Sequence, residues 1–166
     1  MGRKYGSNLE MQRGKAMQIG VISDTHGLLR PAVLDALRDS DLIIHAGDVG
    51  KPEILESLQQ IAPVSAVRGN IDTAPWAETL PLVASLEVEQ VRIYVIHDIH
   101  ALDIDPAAAG FAAVISGHSH RPSLQVRNGV HLINPGSAGP RRFKLPISIA
   151  KLEVRDGQLS PRLIEL

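Results

Sequence analysis

Cysteine is absent from the chain, aromatic residues make up only 3% of it, and neither sign of charge dominates. Each shortage removes a class of function. Without cysteine there are no disulfides, thiolate metal sites or cysteine nucleophiles, so any metal must be held by His, Asp, Glu, Asn or backbone. A formal charge of −1 and a pI near 6.6 provide no long-range field for a polyanion, so no duplex nucleic acid partner is expected. No apolar run reaches the length of a membrane span, and the N-terminus lacks the apolar core of a signal peptide. A soluble, cytoplasmic protein is expected. With few aromatics and 44% hydrophobic residues, the core must be built from Val, Ile, Leu and Ala, a balance that suits alternating strands and helices. A length of 166 residues fits one domain with a real core.

What is present centres on Ile19-Gly20-Val21-Ile22-Ser23-Asp24-Thr25-His26-Gly27, an apolar run that ends in an acid, a hydroxyl, an imidazole and a glycine. It reads as a buried strand delivering ligands. In extended backbone, residues i and i+2 point the same way, so Asp24 and His26 can aim at one point, where a carboxylate and an imidazole suit a divalent metal. Taken alone, the stretch reads more simply as a strand followed by an ordinary polar turn.

Residues 1–16 are polar and without periodicity and are read as a disordered extension; residues 17–166 form the domain. Arg30 to Arg38 is read as a helix, with Val33, Leu34 and Leu37 on one face behind Pro31. A second strand, Asp41 to Ala46, closes in Gly47-Asp48. A helix over Pro52 to Gln60 follows, then a strand over Val64 to Val67 that ends in Arg68-Gly69-Asn70. Three strand-helix units in series imply a parallel sheet whose ligands bind beyond the carboxyl ends of the strands. After a loop over Thr73 to Pro81, Leu82 to Val88 and Val91 to Ile96 read as a hairpin turning at Glu89-Gln90 and ending at His97. A helical turn at Pro106 to Ala109 precedes a strand, Ala112 to Ser116, that runs into Gly117-His118-Ser119-His120. Strands at Ser123 to Arg127, Val130 to Ile133, Ile147 to Val154 and Gln158 to Leu166 suggest an antiparallel meander with turns at Asn128-Gly129 and Asp156-Gly157.

Five strand ends thus carry metal-type residues: Asp24 with His26, then Asp48, Asn70, His97, and His118 with His120. A turn, a left-handed loop residue or an exposed histidine pair explains each one singly, but not their recurrence at every glycine-flanked strand end. The series Asp-Thr-His-Gly, Gly-Asp, Gly-Asn, a strand-terminal His and Gly-His-Ser-His, followed by Asn134-Pro135-Gly136-Ser137, resembles the calcineurin-like metallophosphoesterases. More narrowly, it is similar to their small bacterial and archaeal phosphodiesterase branch. The resemblance runs from about Met17 to the C-terminus. It implies a four-layer αββα sandwich of two mixed β-sheets flanked by helices, with a dinuclear centre at one edge.

In that pattern Asp24, His26 and His120 hold one metal, Asn70, His97 and His118 the other, and Asp48 bridges. The implied cofactors are two divalent ions, manganese first and nickel, iron, zinc, cobalt or magnesium after it. The implied reaction is in-line attack on a small phosphate ester by a metal-bridging hydroxide, with diesters preferred to monoesters. The alternative is a non-catalytic, protein-binding scaffold of the same fold, because a eukaryotic coat-complex subunit has this fold. That scaffold misses key histidines, whereas all seven positions are filled here. The aliphatic strands are compatible with a homo-oligomer, although nothing marks an interface.

Two departures stand out. Larger members of the superfamily place a histidine directly after the asparagine; here that position is Ile71, so the general acid is unnamed. Relatives often show Gly-His after the strand-terminal histidine, where this chain has Asp98-Ile99-His100, which makes Asp98 and His100 candidates for proton donation or ligand orientation. Arg68, Arg141, Arg142 and Trp76 are weaker candidates for touching substrate, each with a packing or solvated-loop alternative. His45 reads as a buried hydrogen-bonded histidine, and His131 as a surface residue.

Overall fold

In the computed structural model, residues 15–166 are described; most of the N-terminal extension lies outside them. Strand β1 (Met17–Ile22) is followed by helix α1 (Pro31–Leu37), β2 (Leu42–His45), helix α2 (Pro52–Gln59) and β3 (Val64–Ala66). Both helices start on a proline, whose missing N–H and fixed φ suit a first turn. Then come β4 (Val83–Val88), β5 (Val91–Ile96), β6 (Ala113–Ile115), β7 (Ser123–Arg127), β8 (Val130–Asn134), β9 (Ser148–Arg155) and β10 (Gln158–Glu165).

The strands form two five-stranded sheets, ordered β10-β9-β1-β2-β3 and β4-β5-β6-β8-β7. The first sheet is parallel across β1, β2 and β3, and antiparallel where β9 joins β1 and β10 joins β9. In the second, β5, β6 and β8 run parallel while β4 and β7 are antiparallel edges. The expected meander is therefore corrected. Its hairpins exist, but β6 and β8 lie side by side in parallel with the edge hairpin folded outward, and β9 and β10 return to the first sheet. All three tight turns have positive φ at both central residues, Glu89-Gln90, Asn128-Gly129 and Asp156-Gly157, the twist that hairpins favour.

The sheets face each other across an aliphatic core that includes Ile19, Val21, Ile44, Val95, Ile115, Ile133 and Leu152. On the outer side of the first sheet, Val33 and Leu37 of α1 and Ile54 and Leu58 of α2 pack on Ile22, Ile43 and Ile149. The outer layer over the second sheet is thinner. There Tyr94, Ile96, Phe111 and Val114 are covered by Ile99, Leu102 and Ile104, from a 3₁₀ turn (Ile99–Ala101) and the loop after it. A further 3₁₀ turn, Pro75–Thr79, occupies the stretch expected to be loop. No helix among the described residues is long and apolar enough to cross a membrane.

The parallel strands of both sheets end at the same edge of the sandwich. Carbonyls and amides left unpaired there are taken up by the connecting turns: Asp24 N–H donates to Gly47 O, His26 N–H to Asp48 O, and Gly117 N–H to His97 O. Neighbouring turns are thereby tied within each sheet, and His97 Nδ1 to Ala46 O and the His118 N–H to Asp24 Oδ2 tie one sheet's turns to the other's.

Candidate metal centre

Two groups of side chains meet at that edge: Asp24, His26 and His120, and Asp48, His97 and His118. Within each group the ligand atoms lie within 4.8 Å of one another. The route by which they converge differs from extended-strand alternation. Asp24 (φ 58°), His26 (φ 47°), Asp48 (φ 56°), His118 (φ 69°) and His120 (φ 61°) all sit in left-handed backbone. Such conformations are unfavourable for residues with a Cβ and cluster at functional sites. Asp24 and His26 lie beyond the end of β1, and a pair of left-handed residues turns both side chains inward.

Each carboxylate is held by one oxygen and leaves the other free. Asp24 Oδ2 accepts from Ser23 Oγ at 2.7 Å and from the His118 N–H at 3.1 Å. Its Oδ1 is buried without a hydrogen-bond partner, 3.3 Å from His120 Nε2 and 3.7 Å from His26 Nε2. Asp48 Oδ1 accepts from the Ile71 N–H at 3.1 Å, while Oδ2 lies 3.4 Å from His26 Nε2 and 3.3 Å from His97 Nε2. That single oxygen faces both groups.

The imidazoles repeat the pattern. His97 Nδ1 donates to Ala46 O at 2.7 Å, so its neutral form presents a bare Nε2 to Asp48 Oδ2 and to Asn70 Oδ1, 3.0 Å away. Asn70 Oδ1 also lies 3.1 Å from His118 Nδ1. Lone pairs converge with no proton required between them. The buried His26 Nε2 and His120 Nδ1 likewise have no hydrogen-bond partner. Orphaned buried acceptors around nitrogen and oxygen donors are what a divalent cation satisfies and what a folded chain otherwise avoids, so the residues fit metal ions of the Mn, Fe, Ni, Co or Zn type.

The titration of the metal-free site follows from the same contacts. Burial pushes the Asp48 carboxyl up, but the His97 hydrogen bond, the Ile71 amide and the nearby imidazoles outweigh it and leave it below its ordinary value. Burial pushes His97 down, yet Asp48 and the Ala46 carbonyl hold it above the usual imidazole range. Burial, helped by the charges of Arg142 and His26, keeps His120 low against the pull of Asp24.

Several supporting residues escape a reading of motifs alone. Asp72 is buried and accepts three backbone N–H groups, from Val49 (3.1 Å), Gly50 (3.0 Å) and Gly69 (2.9 Å), tying the Asp48 turn to the Asn70 turn. Its signal in the sequence is an acid three residues after a strand-end glycine. Asn134 Nδ2 donates to Gly117 O and to Ser119 Oγ and so clamps the loop of His118 and His120. His45 accepts the Gly47 N–H at Nδ1, which leaves Nε2–H to donate to Thr25 Oγ1; that hydroxyl donates in turn to Val49 O. Two glycines have no room for a side chain: a Cβ on Gly69 would overlap Asp48 Oδ1, and one on Gly117 would overlap Ser23 Oγ and crowd Asp24 Oδ2.

The weaker candidates separate. Asp98 Oδ2 lies 4.0 Å from His118 Nε2, at the rim of the centre. The His100 side chain instead lines a groove of about 490 Å³ on the outer face of the second sheet. Trp76 packs with Leu80 against the helical core of the first sheet. Arg68 is half-buried with Nε lacking a hydrogen-bond partner among the described residues, and Arg141 and Arg142 are exposed. Ile71 is 41% exposed beside Asn70.

Fold and site together define a class, proteins that gather metal-type ligands at the strand-end edge of a double-sheet sandwich. The chain belongs to the calcineurin-like phosphoesterase superfamily, whose domain model matches residues 17–157. It is 38% identical over 160 residues to a probable metallophosphoesterase of Methanothermobacter thermautotrophicus, covering 89% of this chain and 92% of that protein. It is 40% identical over 166 residues to a probable metallophosphoesterase of Methanocaldococcus jannaschii, covering 92% and 83% respectively. In fold it is similar to an archaeal phosphodiesterase, with a TM-score of 0.75 at 21% identity over 89% of this chain and all of the other.

Proposed function

We propose that the chain hydrolyses small phosphate esters, diesters ahead of monoesters, at a centre of two divalent metal ions. The observation that carries this reading is Asp48 Oδ2, 3.4 Å from His26 Nε2 in one direction and 3.3 Å from His97 Nε2 in the other. In it, Asp24, His26 and His120 hold one ion, Asn70, His97 and His118 hold the other, and Asp48 serves both. When bound, such ions lower the pKa of water and offset charge that builds on phosphoryl oxygens.

The chain's own part is preorganisation. Ser23 and the His118 amide fix Asp24, the Ile71 amide fixes Asp48, and Ala46 fixes the tautomer of His97, so the donor set need not rearrange as charge develops. Asn70 and His118, the exposed members, border the open side where the ester enters. Asp98 stands toward Nε2 of His118 and orients that ring. At Ile71 the chain offers no imidazole to the leaving oxygen, so esters with good leaving groups react fastest. A scaffold of the same fold would give no physical reason to bury Asp24 Oδ1 and His26 Nε2 without partners.

The test is hydrolysis of bis(4-nitrophenyl) phosphate and 4-nitrophenyl phosphate by metal-stripped protein with Mn, Ni, Zn or Mg restored, beside Asp48→Asn. Metal-dependent diester turnover lost in the variant supports the reading; failure of every metal to give turnover overturns it.

A further inference from the structure

The rim of the centre is electrically lopsided. On one side Asp98 Oδ2 stands 4.0 Å from His118 Nε2. On the other side, Arg121 follows His120 directly, and in the loop Arg141-Arg142-Phe143-Lys144 the last two residues line a shallow concavity with Arg121. None of these four cations has a carboxylate within ion-pair distance among the described residues; the Lys and Arg ion pairs there belong to Arg38, Lys151 and Arg155.

The base of this loop is bolted to the metal-ligand turn. Ser137 Oγ donates to Asp24 O, the Ala138 N–H donates to Ser23 O, and Arg30 Nε donates to Gly139 O. A Cβ on Gly139 would overlap Thr25 O, so the loop leaves the surface in contact with the turn that carries Asp24 and His26. This places the loop on the His26 and His120 side of the centre, where Arg121 also follows His120.

Phe143 is the decisive residue. Its ring is 94% exposed, although the chain has only two phenylalanines, and its backbone is left-handed at φ 52°. A bulky aromatic gains nothing for the fold in that conformation, and such strain is characteristic of ligand clamps. An exposed flat ring between Arg142 and Lys144 is a platform for another flat ring next to an anion.

We infer that Arg121, Arg141, Arg142 and Lys144 bind a second phosphate on the substrate while Phe143 stacks on a planar base, so that the ester arm on the His120 side is nucleotide-like. This rests on the phosphoesterase reading and narrows its substrate class. Asp98 on the His118 side then repels that arm and fixes which way round the ester lies.

The experiment compares thymidine 5′-phosphate with thymidine 3′,5′-bisphosphate as ligands of the metal-loaded protein, by calorimetry at low salt. Beside it, kcat/KM is measured for the 4-nitrophenyl esters of the same two compounds. The added 3′-phosphate is expected to tighten binding and raise kcat/KM about tenfold, with the gain lost in Arg141→Gln/Arg142→Gln. Phe143→Leu is expected to weaken both nucleotides about tenfold, and Phe143→Tyr to restore them. Equal affinity for the two nucleotides, or a 3′-phosphate gain that survives in the double variant, would overturn the inference. Absence of turnover with any ester would count against the phosphoesterase reading, while the binding comparison still decides the loop.

Discussion

The buried imidazole of His45 donates from Nε2 to the hydroxyl of Thr25, 2.9 Å away, so the residue between two metal-type ligands is held by a histidine that is not one of them. Both partners are fully buried. Burial is the main cause of the fall of His45 from 6.5 to about 4, only partly opposed by the charges of Asp24 and Asp72.

This tie predicts acid sensitivity. A histidine depressed in the folded state contributes fully above pH 6.5, where it is neutral folded or unfolded, and the contribution is lost as pH falls toward 4, where the unfolded chain takes up the proton first. The full shift corresponds to about 3 kcal/mol. Urea unfolding from pH 7.5 to 4 is expected to show this slope in the wild type and a flatter one in His45→Gln. Parallel slopes would remove His45 as the cause.

Metal binding should displace a proton. His97 is raised in the metal-free protein, so its stabilising contribution is present below pH 6.5 and lost as pH rises through its folded value. Asp48 is lowered and is already ionised near neutrality. Calorimetric titration of Mn in buffers of different ionisation enthalpy is expected to give more proton release at pH 6.5 than at pH 9. Release that does not change with pH would contradict it.

Asp72→Asn leaves three converging N–H donors facing an amide that is itself partly a donor. A loss of about 2 kcal/mol is expected, together with a 10- to 100-fold weaker metal affinity of roughly the size found for residues that back metal ligands. Denaturant unfolding and metal competition with a chelator measure the two effects separately. A stability loss without an affinity change would make Asp72 purely structural.

Gly117→Ala puts a methyl group onto Ser23 Oγ and Asp24 Oδ2. It is expected to cost about 1–3 kcal/mol and to lower metal stoichiometry, read by thermal unfolding and elemental analysis. Pairing it with Ser23→Ala is expected to recover part of the stability, because one of the two obstructing groups is gone.

Much of this was legible in the sequence because strands that end in a metal-type residue are short and apolar and mostly closed by glycine, His97 with its Asp98-Ile99-His100 being the exception. Geometry was less legible. Asp24 and His26 converge through left-handed turns, which Asp and His tolerate without the glycine that would announce them. Asp72 and Asn134 act on backbone groups, and their partners are set by which turns meet in space. The second sheet was misread for a related reason: hydrophobic runs identify β6, β8, β9 and β10 as strands, but the connections into β6 and β8 carry no helix to mark a parallel crossover.

The order β10-β9-β1-β2-β3 sets a timetable for the chain as it is made. Strand β1 comes first, yet one of its two neighbours is β9, which begins at Ser148. The first sheet therefore stays open at its centre, with one edge of β1 unpaired, until the chain has been made as far as β9. Contacts across so long a stretch are slow to form. The turn holding Asp24 and His26 is built on that late-closing strand, so the edge that gathers these side chains takes its final form only once β9 has docked.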